Sequence, residues 1–351
     1  MRIRVFLVAC ASLPVLAFAA PALATYTKPR LVVNEFSYAK GAATTVEFIA
    51  DTSKSEDATQ NVTIYVAQGY KFTLGQAPGS PIGDLFGTVL RRATGSGNLV
   101  RLTGSVNVGN ATDWVTQATL CTGTPTHQAF WVMNGTFAGN ALQIPIFFDT
   151  ITTGPEAAFA SAKLQVCFQS PYVPAAAGGA PAGAQLVTTL FSIAPVFKNP
   201  GTSGLTRWPS LFTPFSPGTA NANAGGTVES RAVVPVGSSL TLASKNVGSG
   251  VQLFGRLRVS GKPLPNGPVD LYSGPKPSNV AKFVGTRKSK KNGSYRFNRR
   301  RAKKKTFFQA VFGPLDVKAA GFCATPRAPG GCVSATLSEL DSRIVKVPGR
   351  R

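Results

Sequence analysis

What most constrains this chain is how its apolar residues are spaced. Runs of apolar and β-branched residues, Thr45 to Ala50, Val62 to Ala67, Leu142 to Phe148, Leu164 to Phe168 and Leu186 to Ile193, recur between clusters of Gly, Pro and Asn. Short runs bounded by turn formers read as β-strands, and no window sustains a helical period. Each sheet must bury its apolar face against another layer, so the expected fold is all-β with two β-sandwich domains.

Charge divides the same chain unevenly. Residues 25–245 hold 13 Lys and Arg against 10 Asp and Glu, whereas residues 246–351 hold 22 against 4. Such asymmetry localises an electrostatic function to the second part. The division expected is a first domain over 25–197, a Pro/Gly/Asn-rich arm or linker over 198–235, and a basic domain over 236–351. The arm carries Trp208, Leu211, Phe212 and Phe215. A free linker seldom holds so many large apolar groups, so it reads as an irregular extended segment packed on the first domain. Pro174 to Gly183 holds nothing large to bury and reads as a mobile loop.

Arg2 and Arg4 precede an uncharged stretch from Val5 to Ala24 that closes on Ala22-Leu23-Ala24. That is the pattern of a cleaved signal peptide over 1–24, giving a secreted mature chain from Thr25 with no transmembrane segment. An uncleaved anchor is the competing reading, and any attachment to a cell wall would be peripheral. Of the cysteines, Cys121, Cys167, Cys323 and Cys332 survive such cleavage. An even number in an exported chain favours disulfides, and pairing 121 with 167 and 323 with 332 keeps each bridge within one domain. Three pairings are formally open. Metal binding by these residues is a poor alternative, because His127 is the only histidine and no Cys-x-x-Cys occurs.

In the basic domain, Val251, Leu253, Leu257 and Val259 fall on one face of a strand and Gln252, Arg256 and Arg258 on the other, with Phe254 breaking the alternation. Val269 to Tyr272, Val280 to Lys288, Ser294 to Asn298 and Thr306 to Phe312 read as further strands. Asn292-Gly293 suits a type I′ hairpin between the middle two. The pattern Gly261-Lys262-Pro263-Leu264, Gly267-Pro268-Val269-Asp270-Leu271-Tyr272, Asn292-Gly293-Ser294-Tyr295-Arg296-Phe297 and Phe308-Gln309-Ala310-Val311-Phe312 resembles the carboxypeptidase-regulatory-like and prealbumin-like Ig-type domains of bacterial exported proteins. The resemblance covers about residues 239–314 and implies a seven-stranded sandwich with a scaffold or adhesive role, although such folds host many activities. A pilin-like relative forms a Lys–Asn isopeptide bond. Asn298, the last asparagine here, precedes the final strand near Arg343 to Val347, so none is expected.

The densest chemical signal lies between Arg287 and Lys305. Arg287, Lys288, Lys290 and Lys291 flank the Asn292-Gly293 turn, Arg296 follows, and Arg299, Arg300, Arg301, Lys303, Lys304 and Lys305 lie beyond the next strand, with no acid among them. Like charges this close repel within a Debye length of about 8 Å, and a polyanionic partner relieves the repulsion. The two groups stand about 16 Å apart at about 3.3 Å per residue, which suits an extended polymer. The alternative is a solvated surface that guards strand edges. Tyr295 and Phe297 face the core, so stacking platforms are few and sequence-reading nucleic-acid recognition is not expected. The partner class is an anionic polymer or cell-envelope surface.

Catalysis, cofactors and metals find little support. No Gly-x-Ser-x-Gly elbow occurs, and His127 reads as a satisfied polar residue. Glu47, Asp113, Asp149 and Glu156 are carboxylates that could meet in space as a hydrolase would require. Asp51 to Asp57 opens like a calcium loop but lacks the glycine and glutamate that complete one. A rival to polyanion binding is an adhesin or ligand-binding module acting through Tyr65, Tyr70, Trp114 and Trp131 of the first domain.

Overall fold

The computed structural model describes residues 26, 29–92, 97–316 and 335–349. The 1–24 segment, Cys323 and Cys332 lie outside the described residues. The first unit comprises β1 Arg30–Glu35, β2 Ala43–Asp51, β3 Thr59–Ala67, β4 Lys71–Phe72, β5 Pro81–Arg91, β6 Leu99–Val108, helix α1 Val115–Thr122, β7 Ala129–Phe137, β8 Asn140–Thr150, β9 Ala160–Cys167, β10 Ala184–Lys198, β11 Gly204–Pro214 and β12 Val228–Val236. The apolar runs fall on β2, β3, β8, β9 and β10. Along β3, Val62, Ile64 and Val66 are buried while Thr63 and Tyr65 are less so, the alternation a half-buried strand requires.

Hydrogen bonds order these strands β1-β2-β10-β5-β6-β7-β8-β9-β3-β11-β12 in one antiparallel sheet. The sheet curls until β1 packs beside β12, where the Leu31 amide donates to the Ser230 hydroxyl at 3.1 Å. Its inner face thus closes on a single core, in which Phe48 stacks on Phe191 at 4.9 Å and meets Trp208 edge-on at 5.9 Å.

Three sequence expectations change here. The 198–235 segment does pack on the first unit, but as the ordered strands β11 and β12 rather than as an irregular arm. Trp208, Ser210 and Phe212 alternate inward. Pro209 hid the strand, and it is tolerated because pairing of β11 with β3 begins only at Ser210. Pro174 to Gly183 is also anchored: the Ala180 amide donates to the Ser170 carbonyl at 2.8 Å, Ala180 is buried, and a Cβ on Gly179 would lie 1.9 Å from the Val173 carbonyl oxygen. Finally, the eight residues of α1 escaped the helical search because Ala118 alone of them is buried. A disulfide from Cys121 to Cys167, Cα atoms 6.2 Å apart, ties α1 to the end of β9. Among the described residues no helix is long and apolar enough to cross a membrane.

The second unit adds β13 Ser239–Leu240, β14 Ala243–Val247, β15 Gly250–Val259, β16 Lys262–Pro263, β17 Pro268–Gly274, β18 Lys282–Lys288, β19 Ser294–Arg300, β20 Thr306–Phe312, β21 Leu315–Asp316, β22 Thr336–Leu337, β23 Leu340–Asp341 and β24 Val345–Val347. One layer centres on β15, with β13 and β14 on one side and β16 and β19 on the other. The other runs β18-β17-β20, with β23 and β24 beyond. Leu253, Leu257, Tyr295 and Phe297 from the first layer meet Leu271, Ala310 and Phe312 from the second in a separate core.

The expected hairpin at Asn292-Gly293 is a turn between layers. β18 pairs with β17, and β19 with β15, so the flanking strands do not bond each other. Gly293 has φ +76° but Asn292 is not in the positive region, which excludes the type I′ form. The Asn292 side chain instead accepts from the Ser294 amide at 3.0 Å. The chain then returns to the first unit: β22 runs parallel to β12, and the Glu339 amide donates to Asn34 Oδ1 at 3.0 Å.

Candidate polyanion-binding face

The outer face of the β14–β15–β19 layer joins the two basic groups that the sequence places apart. Register sets its rungs. Arg256 lies opposite Ser294; Phe254 lies between Ala243 and Arg296; Gln252 lies between Lys245 and Asn298; Gly250 lies opposite Arg300. Neighbouring strands stand about 4.8 Å apart and alternate residues about 7 Å apart along a strand, so these side chains form a grid that charge can track. Lys245, Phe254, Arg256, Lys290, Arg296 and Arg343 line an open cleft of about 780 Å³ on this face. Lys282, Phe283, Arg299, Arg300 and Arg301 line a second, of about 340 Å³, at the far end of β19. No Asp or Glu borders either cleft.

The residues expected to bind polyanion do not all stand free. Arg287 and Lys288 are exposed at the end of β18, Lys290 and Lys291 at the turn, Arg300 on the grid, and Lys303, Lys304 and Lys305 in the loop after β19. Arg299 donates to the Val284 carbonyl of the opposite layer, and Arg301 donates to the Gly349 carbonyl at 3.2 Å. Those two guanidinium groups help close the sandwich end. Lys245, Arg256 and Arg343 were missed because they are distant in sequence from the dense run. The available signal was alternation, which already put Arg256 on the outer face.

The first unit offers less chemistry. His127 Nδ1 bonds Asp149 at 2.7 Å and Nε2 bonds Thr122 at 3.0 Å, with its side chain 3% exposed and its ring on Phe147. The imidazole of this hydroxyl–imidazole–carboxylate array is enclosed, and the Thr122 hydroxyl also bonds the Ala118 carbonyl at 2.8 Å. It works as a strut between α1 and β8, in accord with a satisfied polar histidine. Glu156 is held by Tyr65 and Lys163, Glu47 by Asn34, and Asp113 by Asn110. Of the aromatics a rival site would use, Tyr70 and Trp131 are buried in the core, while Trp114 packs on Phe130 and Tyr65 on Phe159.

No protein-family model matches the chain, and no curated protein matches it. Among solved structures, the D0-D1 domain of intimin aligns over 89% of this chain and 96% of its own, with 12% identity and a TM-score of 0.19. A superposition that poor carries no argument about this chain.

Acids gather at the junction of the two units instead. Glu35, Glu47, Glu339 and Asp341 line a cleft of about 630 Å³ there, and among the described residues none of them forms an ion pair. They do not converge tightly enough to hold a metal ion among the described residues. Burial pushes the Glu35 carboxyl up to about 7, and burial with the nearby Asp341 and Glu47 charges does the same to Glu339. Tyr70 donates to Glu35 Oε1 at 2.7 Å, and Glu35 Oε2 is buried without a hydrogen-bond partner among the described residues.

Because the folded carboxyl keeps a proton that the unfolded one releases, this group favours folding below the unfolded value and loses that contribution as pH rises from about 4.5 through about 7. The loss for Glu35 is roughly 3 kcal/mol at about 1.4 kcal/mol per pH unit. Urea unfolding at pH 5 and pH 8 should show the decline in the native chain and a smaller decline in Glu35→Gln, in which Glu339 still contributes. Parallel profiles in the two proteins would place the pH dependence elsewhere.

Proposed function

We propose that this chain is an exported, non-enzymatic binding protein whose second unit, a sandwich of the carboxypeptidase-regulatory-like or prealbumin-like Ig type, holds an anionic polymer or anionic cell-envelope surface. The observation that carries this reading is the acid-free outer face of β14, β15 and β19, which links the basic turn at Lys290 to the basic loop at Lys303. Cations without counter-ions on one continuous face keep a high positive potential, and a polyanion lowers it while releasing its condensed counter-ions. The Cys121–Cys167 disulfide supports an oxidising destination, as the leader-like 1–24 segment does.

The deciding experiment is retention of residues 25–351 on immobilised heparin across a salt gradient. It is run beside a variant with Lys245, Arg256, Arg296 and Arg300 changed to Gln and Lys303, Lys304 and Lys305 changed to Ser. Arg299 and Arg301 stay, since they bond the backbone. The native chain should elute at markedly higher salt. Co-elution of the two proteins at low salt would make the face a solubilising surface and end the proposal.

A further inference from the structure

We infer that the polymer held on this face is an acidic glycan, a chain of sugar rings bearing carboxylate or sulfate groups, with Phe254 as its stacking platform and the Gln252–Asn298 pair reading its hydroxyls. The inference rests on the polyanion reading and narrows it. On the outer face of β15 the side chains run Gln252, Phe254, Arg256 and Arg258, so one apolar ring sits in an otherwise polar row. Phe254 is 37% exposed, lies directly opposite Arg296, and forms part of the 780 Å³ cleft with Arg256 and Lys245.

Its outward position is fixed by the next residue. Gly255 turns inward, where a Cβ would come 1.7 Å from the Thr241 carbonyl oxygen and 2.6 Å from the Tyr295 hydroxyl. The strand therefore cannot shift its register to bury Phe254 without driving a side chain into that contact. Packing explains the glycine at the inward place and gives no reason for the phenylalanine at the outward one.

One rung along, Gln252 Nε2 donates to Asn298 Oδ1 at 3.2 Å. That bond orients both amides, leaving the Gln252 oxygen to accept and the Asn298 nitrogen to donate. Neutral donors and acceptors beside an exposed ring, framed by cations, match a ligand that is itself mixed: apolar C–H faces, hydroxyls and intermittent acid groups. A polyphosphate presents neither ring nor hydroxyl pattern and would use the cations alone. A single-stranded nucleic acid calls for successive aromatic platforms, whereas on this grid Phe254 stands alone.

The test compares polygalacturonate with linear polyphosphate as probes of the mature chain at one fixed salt concentration, in the native protein, Phe254→Ala and Phe254→Trp. Thermal unfolding checks that each variant is folded. Phe254→Ala should weaken polygalacturonate binding about tenfold, the scale of one lost stacking contact, and leave polyphosphate binding within about twofold. Phe254→Trp should retain or strengthen the glycan. Equal losses on both probes, or no loss on either, would overturn the glycan assignment while the polyanion reading stood. If the native chain binds neither probe at low salt, the polyanion reading falls and this inference falls with it.

Discussion

Raising monovalent salt from about 50 to about 200 mM is expected to weaken binding of residues 25–351 to a densely charged polyanion by about a thousandfold. The figure follows from the outer face. Lys245, Arg256, Arg258, Lys290, Arg296 and Arg300 are exposed there, and each that meets an anionic group displaces a condensed counter-ion. Each contact adds about −0.9 to the slope of log affinity against log salt for a duplex-like charge density, and six give about three decades over a fourfold change in salt. Asp270 and Asp316, two of the acids beyond residue 245, do not border the clefts, so little internal pairing competes at low salt. Affinities measured at several salt concentrations supply the slope. Removing Arg256, Arg296 and Arg300 together should reduce it by nearly three, and a native slope shallower than two would show that the grid does not meet the polymer. On glycans of lower charge spacing the slope should be smaller in proportion.

The strands were legible because period-two burial writes itself into sequence, as β3 shows from Val62 to Val66 and β15 shows apart from Phe254. The partners of a strand were not. Asn292-Gly293 marks a tight reversal whether or not its flanks pair, and only the need to bury Tyr295 and Phe297 beside Leu253 assigns β19 to β15. Trp208 and Phe212 declared that the 198–235 segment packs, yet Pro209 and Pro214 masked its strand; Pro209 precedes the pairing with β3, and Pro214 sits at a register shift. At the candidate site, charge density marked the run through β19 and overlooked Lys245, Arg256 and Arg343 from other segments. The one irregularity in β15, Phe254 where a polar residue was due, was visible at once. Its meaning required knowing that Gly255 faces inward against Thr241. Burial also cannot be read from residue type alone: Trp131 and Tyr70 serve the core although aromatics of that kind often serve binding sites.

Loss of the Cys121–Cys167 bridge should cost the first unit about 4 kcal/mol, on the chain-entropy account of a loop of this size. The bridge spans 46 residues of sequence and closes a segment that runs from the end of α1 through β7 and β8 to the end of β9. The contacts of α1 are few: Ala118 alone of it is buried, and it joins Phe130, Val132, Phe147 and Cys167 in a small cluster outside the main core. The His127 strut from Thr122 to Asp149 is the other tie between α1 and the sheet. Urea unfolding of Cys121→Ser/Cys167→Ser should therefore show a lower midpoint with a steeper dependence on chain exposure, because the unfolded state regains the freedom the crosslink removed. Hydrogen exchange separates this from a purely local role. If the β7 and β8 amides keep their protection and only residues 115–122 exchange faster, the bridge secures α1 alone. If protection falls across β7, β8 and β9 together, the crosslink stabilises the curled sheet as a whole, and reduction would then disable the first unit while leaving the basic face of the second able to bind.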